Sequence, residues 1–547
     1  MGFPTKVQLI KRQKSQQWYI NFPSAVAQAM EFGRGEVVEW FIEDKETLVL
    51  KRPEAAARKL KKKTARSLLG ELEGLLRDCR GAFGQERCWE RGRRLLLSHL
   101  VALSRHTVTG LITTSGRQWD DWSADYRLLS QERFDADRVF SVVRRGVAGR
   151  LAPQAPLVVA LDDTTTRKSG RKIPGAGWRR DPLGPRFRTN VIWGRRFLQL
   201  SAIVPAGRED APPRAIPIDL DQVPSVPKPS RQAPEAAWAG YREARRRHGL
   251  GRHAVERLAV LRQQMDAEGE GDRPLWACGD GGYTNATVLR SLPRRTAMIG
   301  RIRADAVLHP PPEPAAALAR GRKRSYGRGV VTPEGVRQDE AIPWQTARVY
   351  AAGRIHELRF KTVGPLLWRA AGPGILMRLL VIAPLAYRPS KGHRLLYRKP
   401  AYLICTALEI PPEDVLKAYV ARWDIEVNFR DEKQLFGLDE AQVRTEPGAR
   451  LAPALAVSAY ALLLLAGLRA FGANGLPQTV PPPKWRTRTP PARATTASLT
   501  NHLRFELWSR ALASPHFSHF AAQPAPVAKS KNSLPSLHAA LFYAHPA

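Results

Sequence analysis

Apolar positions along this chain repeat with two periods. In residues 67–150 the leucines at 68, 69, 72, 75 and 76 recur at helical spacing, and a second such stretch runs from Leu95 to Leu111. Beyond residue 150 the pattern changes to short apolar runs closed by turn residues. Pro156 to Leu161 predicts a strand that ends at Asp162-Asp163, and Leu275 to Cys278 predicts one that ends at Gly279-Asp280-Gly281-Gly282. Phe197 to Val204 and Ala297 to Ile302 read as further strands, and 253–266 and Asn285 to Leu292 as helices. The Pro-rich segment 205–236 reads as loop. Residues 304–400, with apolar stretches among many Pro, Gly and Arg, read as a strand-rich insertion. A helix is predicted from Pro412 to Phe436, and another at Leu451 to Leu468. The fold class is α/β.

The first 53 residues form their own pattern. Val7 to Ile10 and Trp18 to Phe22 read as strands, Ser24 to Phe32 as a short helix closed by Gly33, and Val37 to Ile42 and Thr47 to Leu50 as strands again. The expected organisation is 1–53 as a small β-rich domain and 54–150 as a basic linker and helical region. A catalytic core follows in two parts, 151–303 and 401–473, around the insertion at 304–400, and 474–547 is a Pro-rich basic linker and tail.

Charge narrows the partners. The chain of 547 residues has 87 Lys and Arg against 50 Asp and Glu, a formal net charge of +37. Such self-repulsion is relieved by a polyanion, and nucleic acid is the first candidate. The uncharged stretch from Leu451 to Leu468 is of borderline length for a membrane span and reads as a core helix. The four cysteines form no CxxC pair, and no histidine stands at zinc-ligand spacing. Together with an N-terminus lacking the apolar core of a signal peptide, this predicts a reducing, cytoplasmic setting.

The candidate chemistry is carboxylate-based. Asp163 and Asp280 stand where predicted strands end, and Asp280 is followed by two glycines that allow a ligand to approach closely. In the predicted helix AYVARWDIEVNFRDEKQLFGL, residues Tyr419, Arg422, Glu426 and Lys433 are offset by 3, 7 and 14. On a continuous helix these lie on one narrow stripe, beside an apolar stripe of Leu416, Val420, Trp423 and Val427. An ordinary amphipathic helix with surface charges has the same outline. Hard divalent cations prefer such oxygen ligands, and two of them can serve both the attacking and the leaving oxygen of a phosphodiester.

The spacing Tyr419-x2-Arg422-x3-Glu426-x6-Lys433 resembles the YREK signature of bacterial insertion-sequence DDE transposases. Leu161-Asp162-Asp163-Thr164-Thr165 resembles that family's first-Asp segment, and Cys278-Gly279-Asp280-Gly281-Gly282-Tyr283 its second. The resemblance implies a ribonuclease-H-like mixed sheet flanked by helices, with a β-rich insertion before the Glu. It implies Asp163, Asp280 and Glu426 as catalytic ligands of two Mg²⁺ or Mn²⁺ ions, with Asp162 as the alternative first ligand. It also implies Tyr419, Arg422 and Lys433 as contacts to DNA phosphates, and an aromatic of the insertion, Trp344 or Trp368, as a stacking partner for a flipped base. The N-terminal segment WYINFPSAVAQAMEFGRGEVVEWFIEDKETLVL resembles AbrB/SpoVT-type swapped-hairpin DNA-binding domains, which implies a homodimer presenting Lys6, Lys11, Arg12 and Lys14 to DNA. The expected activity is cleavage and strand transfer at transposon ends in double-stranded DNA. The alternatives are a regulator derived from an inactive transposase and a structure-specific nuclease.

Overall fold

The computed structural model describes residues 6–12, 15–20, 38–44, 47–51, 67–103, 105–117, 121–181, 184, 190–313, 324–388, 392–476 and 491–511. The chain divides into two units, Met1–Arg66 and Ser67–Ala547. In the first, β1 (Val7–Arg12) pairs antiparallel with β2 (Ser15–Ile20), and β3 (Glu39–Ile42) with β4 (Leu48–Lys51). Asp44 closes the second turn by accepting from the Thr47 amide at 2.7 Å. The expected helix at 24–32 and the basic run at 58–63 lie outside the described residues.

The second unit begins with helices α1 (Leu68–Asp78), α2 (Glu86–Val101), α3 (Val108–Thr114), α4 (Ser123–Ser130) and α5 (Ala136–Ala148). Their starts are set by side-chain caps: Ser67, Thr107 and Asp135 each accept from a backbone N–H of the first turn.

The strands that follow are β5 (Leu157–Arg167), β6 (Gly177–Arg180), β7 (Val191–Val204) and β8 (Arg214–Val223). Next come α6 (Glu235–Arg247), α7 (Leu250–Ala267), β9 (Leu275–Gly279), α8 (Ala286–Leu289) and β10 (Thr296–Arg301). The strands line up in the order β8-β7-β5-β9-β10, with β7 antiparallel to β5 and with β9 and β10 parallel to it.

The segment expected as an insertion supplies β11 (Leu308–His309), α9 (Pro333–Gln338), β12 (Gln345–Ala351), β13 (Arg354–Trp368), β14 (Leu376–Ile382) and the small hairpin β15 (Ala386–Tyr387) with β16 (Leu396–Tyr397). Strand β17 (Ala401–Cys405) then joins β14 to β10, so the insertion prolongs the central sheet to eleven strands. The chain ends its described course in α10 (Pro412–Ala421), α11 (Asp424–Leu435), α12 (Glu446–Phe471) and α13 (Thr496–Ala511).

Helix α12 is the hub. Every residue from Leu451 to Leu468 is buried, against α1, α2, α4, α5 and β8. It is long and apolar enough to cross a membrane, yet its apolar window is wholly buried inside the protein, as expected of a core helix.

Three sequence expectations change. The segment 205–236 contains strand β8, because Ile216, Ile218 and Leu220 are buried and Pro217 sits at a bulge of an edge strand, where its missing N–H costs no ladder bond. The helix expected from 412 to 436 is broken at Arg422-Trp423. There the amides of Trp423, Ile425 and Glu426 bond to carbonyls three residues back rather than four, tightening the turn. Trp423, expected on a packing stripe, is instead 66% exposed at this break. Lastly, β5 does not stop at the acidic pair: it continues through Asp162 and Asp163 to Arg167.

Candidate active site

Strand geometry decides where the acids point. Side chains alternate across a strand, so Asp162 and Asp163 face opposite sides of the sheet. Asp162 is paired in register with Gln199, whose amide reaches Glu432 of α11 at 3.0 Å. Asp162 itself accepts from Arg422, in the break between α10 and α11, at 3.1 Å. This is the front face, where Ala160, Ile203 and Ala215 pack on Ile425 and Phe429 of α11. Asp163 is paired with Leu198 and points to the rear, where Tyr283 donates its hydroxyl at 2.8 Å and Arg196 lies at 3.0 Å. The rear face carries α7, whose Arg257 pairs with Asp219 of β8 at 2.5 Å.

Asp280 falls on the front. Along β9, Leu275 and Ala277 belong to the main core, whereas Trp276 and Cys278 pack with Val415 and Leu416 of α10. Asp280 continues the second set. The last paired residues of β5 and β9 are Leu161 and Gly279, and one step beyond them come Asp162 and Asp280, side by side where the pairing of these two parallel strands ends. Asp280 is held in an Asx turn in which its Oδ1 accepts the Gly282 amide at 2.7 Å.

Glu426 completes the group from the first turn of α11, where it is exposed. Burial pushes the Asp162 carboxyl up to about 7; the charges of Asp163 and Glu426 push the same way, and Arg422 opposes them. Asp162 and Asp280 therefore share the face of the sheet that α11 covers, with Glu426 in the first turn of that helix, and Asp163, the expected first ligand, points to the other face. The physical reason is the strand's period of two, which a reading of the acidic pair as the end of the strand could not use.

The remaining expected residues divide. Arg422 is buried, paired with Asp162 and stacked at 5.5 Å on the ring of Tyr419, so both belong to the interior of the site. Lys433 is exposed two turns beyond Glu426 and donates to the Thr165 carbonyl at 3.2 Å. Of the insertion aromatics, Trp368 lines a cleft with Gly281, Thr284 and Arg301, next to Asp280. Trp344 lies under Arg359 and Lys361 at 5.3 and 4.7 Å and is not part of that cleft.

A second set of residues, which motif spacing gave no sign of, fixes the acids' strand to the α11 end. Asp439 sits at φ +65°, in the left-handed region that Asp tolerates through its short side chain. It is buried, and takes Lys168 at 2.9 Å, Arg195 and Thr166. Arg195 also reaches the Ala449 carbonyl in the first turn of α12.

The donor set suits a hard divalent cation: three carboxylates, of which Asp162 is half-buried and paired with the Arg422 guanidinium. Among the described residues, no three Asp, Glu, His or Cys side chains are close enough to hold one ion as they stand. Magnesium usually takes only one or two carboxylates and fills its shell with water and substrate phosphate, so an open arrangement is compatible with it.

The family model for DDE superfamily endonucleases matches residues 81–362, which is 362 − 81 + 1 = 282 of the 547 residues. The match covers both strand-borne acids and ends before Glu426. No curated protein matches the chain. With more than half its length under that model and a large mixed sheet flanked by helices, the chain belongs to the DDE superfamily endonucleases, DNA-cutting enzymes that typically use divalent metal ions.

Proposed function

We propose that the protein is the cut-and-paste transposase of an insertion sequence, and that Asp162, Asp280 and Glu426 are its metal-ligating acids. The observation that supports this reading is that Asp162 and Asp280 stand side by side just past the last β5–β9 pair, on the face covered by α11, with the charge of Glu426 acting on Asp162. Bound Mg²⁺ or Mn²⁺, two ions per site, would supply the positive charge that activates the attacking oxygen and stabilises the leaving one.

The chain's own residues do the rest. Arg422 compensates Asp162 and, with Tyr419, lines the floor of the site. Lys433, about 10 Å along α11 from Glu426 at 1.5 Å per residue, is suited to a phosphate beside the reacting one. Trp368, in the cleft next to Asp280, is the aromatic suited to stack on an unpaired base. Hydrolysis at the element's end frees a 3′-hydroxyl, which then attacks either the opposite strand or target DNA.

The N-terminal unit is proposed to be an AbrB-like module that pairs two copies on paired DNA ends. Support comes from its exposed apolar residues Val7, Trp18, Ile20 and Ile42, which a second copy would cover. The four free, buried cysteines accord with work at the nucleoid in the bacterial cytoplasm.

The test is cleavage of a labelled duplex carrying the element's flanking repeats, with Mg²⁺ or Mn²⁺, by wild type and Glu426→Ala. Metal-dependent nicking and joined products from the wild type alone are expected. Nicking without joining would reassign the protein as a nuclease, and binding without nicking by either protein would make it a regulator.

A further inference from the structure

Helix α6 stands apart from the rest of the catalytic unit. It has 13 residues, none of them buried, and among the described residues it makes no extensive packing with any other element. A helix of that length is marginal in water by itself, and most helices gain stability by burying an apolar face. Here only Trp238, Tyr241 and Ala244 are even half-buried. What α6 presents instead is arginine: Arg242, Arg245, Arg246 and Arg247, all exposed.

A merely solvated helix would balance its charges. From Lys228 to Arg252 there are seven Lys and Arg against two Glu, a net charge of 7 − 2 = +5. The acids offset little. Glu243 lies at 3.8 and 3.6 Å from Arg246 and Arg247, exposed pairs of small worth, and Glu235 engages only Arg242. The aromatic rings add to the cationic character of the surface, since Lys228 lies 5.6 Å over Trp238 and Arg245 lies 5.7 Å over Tyr241.

The helix is also well placed. Its arginine-rich end leads through Gly249 directly into α7, whose second residue, Gly251, lies against the side chain of Asn285. Asn285 caps α8 five residues beyond Asp280. His253, one turn into α7, lies 3.2 Å from Asp221 near the end of β8. The basic end of α6 is thus tethered to the end of the sheet where the strand-borne acids sit, without contributing to the front face itself.

We infer that α6 is a docking helix for the phosphate backbone of duplex DNA, gripping the duplex outside the acidic site. It is separate from Tyr419, Arg422 and Lys433. The inference rests on the DNA-cutting reading and adds to it a sequence-independent contact. Arginines spaced along one exposed helix match phosphates by charge, and contacts to phosphates carry no sequence information. The contribution is therefore to affinity and salt dependence.

The experiment measures binding of a long labelled duplex of arbitrary sequence by fluorescence anisotropy over a series of potassium chloride concentrations. Three full-length proteins are compared: wild type, the triple variant Arg242→Gln/Arg245→Gln/Arg246→Gln, and the triple variant carrying Lys at the same three positions. Loss of three phosphate contacts lowers the slope of log affinity against log salt by about 2.7. The Gln variant is expected to show that drop with weaker binding, and the Lys variant a slope near wild type. An unchanged slope in the Gln variant overturns the inference, as does a Lys variant as weak as the Gln variant, since charge would then not be the cause. Failure of the wild type itself to bind DNA would instead strike at the DNA-cutting reading.

Discussion

Replacing Glu432 by Gln should stabilise the protein, and only above a defined pH. Glu432 lies on α11 and is fully buried. Its Oε1 accepts from the Gln199 amide at 3.0 Å, while its Oε2 finds no hydrogen-bond partner among the described residues. Burial pushes its carboxyl up from 4.5 to about 8; the charge of Asp431 adds to the rise, while the Gln199 bond and the charge of Lys433 oppose it.

A raised folded-state pKa means that the folded protein holds a proton that the unfolded chain releases. Below about pH 4.5 both states are protonated and the group is neutral to stability. Between about 4.5 and 8 the native state is increasingly penalised as pH rises, and above 8 the penalty is constant. The interval of 8 − 4.5 = 3.5 units, at 1.36 kcal/mol each, sets a ceiling of about 5 kcal/mol. Glutamine keeps the shape and the acceptor for Gln199 but cannot ionise, so it removes the penalty. The assay is thermal unfolding followed by tryptophan fluorescence, for wild type and Glu432→Gln, across pH 4.5 to 9. All other titrations are common to both proteins and cancel in the difference. The gap should open with rising pH and level off near 8. A gap independent of pH, or one closing as pH rises, would refute the assignment of Glu432 as a buried carboxyl that stays protonated.

Three further outcomes follow from particular contacts. Asp439→Asn keeps the backbone at φ +65° but leaves buried Arg195 and Lys168 without their carboxylate, at a cost of about 3–5 kcal/mol read as a lowered unfolding temperature. Asp162→Asn should abolish metal-dependent nicking while Asp163→Asn, whose partners Arg196 and Tyr283 lie on the rear face, retains it; the reverse result would return the first-ligand role to Asp163. Gly194→Ala would bring a methyl group to 2.1 Å from the Thr166 carbonyl of β5, and overpacking against backbone should cost about 1–3 kcal/mol and reduce nicking by shifting the acids' strand.

Much of the core was readable in one dimension. The apolar runs before Asp162 and Asp280, the helical period of 68–76 and the uncharged run of α12 each bury the surface that their own pattern advertises. Strand β8 was hidden because Pro217 and the prolines around it signal loop, and only pairing with β7 at a bulge makes the proline harmless. Helix α6 gave no apolar period because it has no face to bury. The spacing of Tyr419, Arg422, Glu426 and Lys433 assumed one continuous helix, whereas the chain breaks at 422–423 and Arg422 pairs with Asp162.

By itself, then, the sequence determined most of the strands and core helices, which residue types could ligate a cation, and a net charge for which nucleic acid is the first candidate partner. These follow from local periodicity and net charge, which are properties of the chain before it folds. Only the tertiary structure decided which of two adjacent aspartates shares the face of Asp280. Successive residues of a strand point to opposite faces, and the choice between them depends on which face α11 covers, through contacts such as Gln199 with Glu432 and Ala160 with Ile425, between residues hundreds of positions apart.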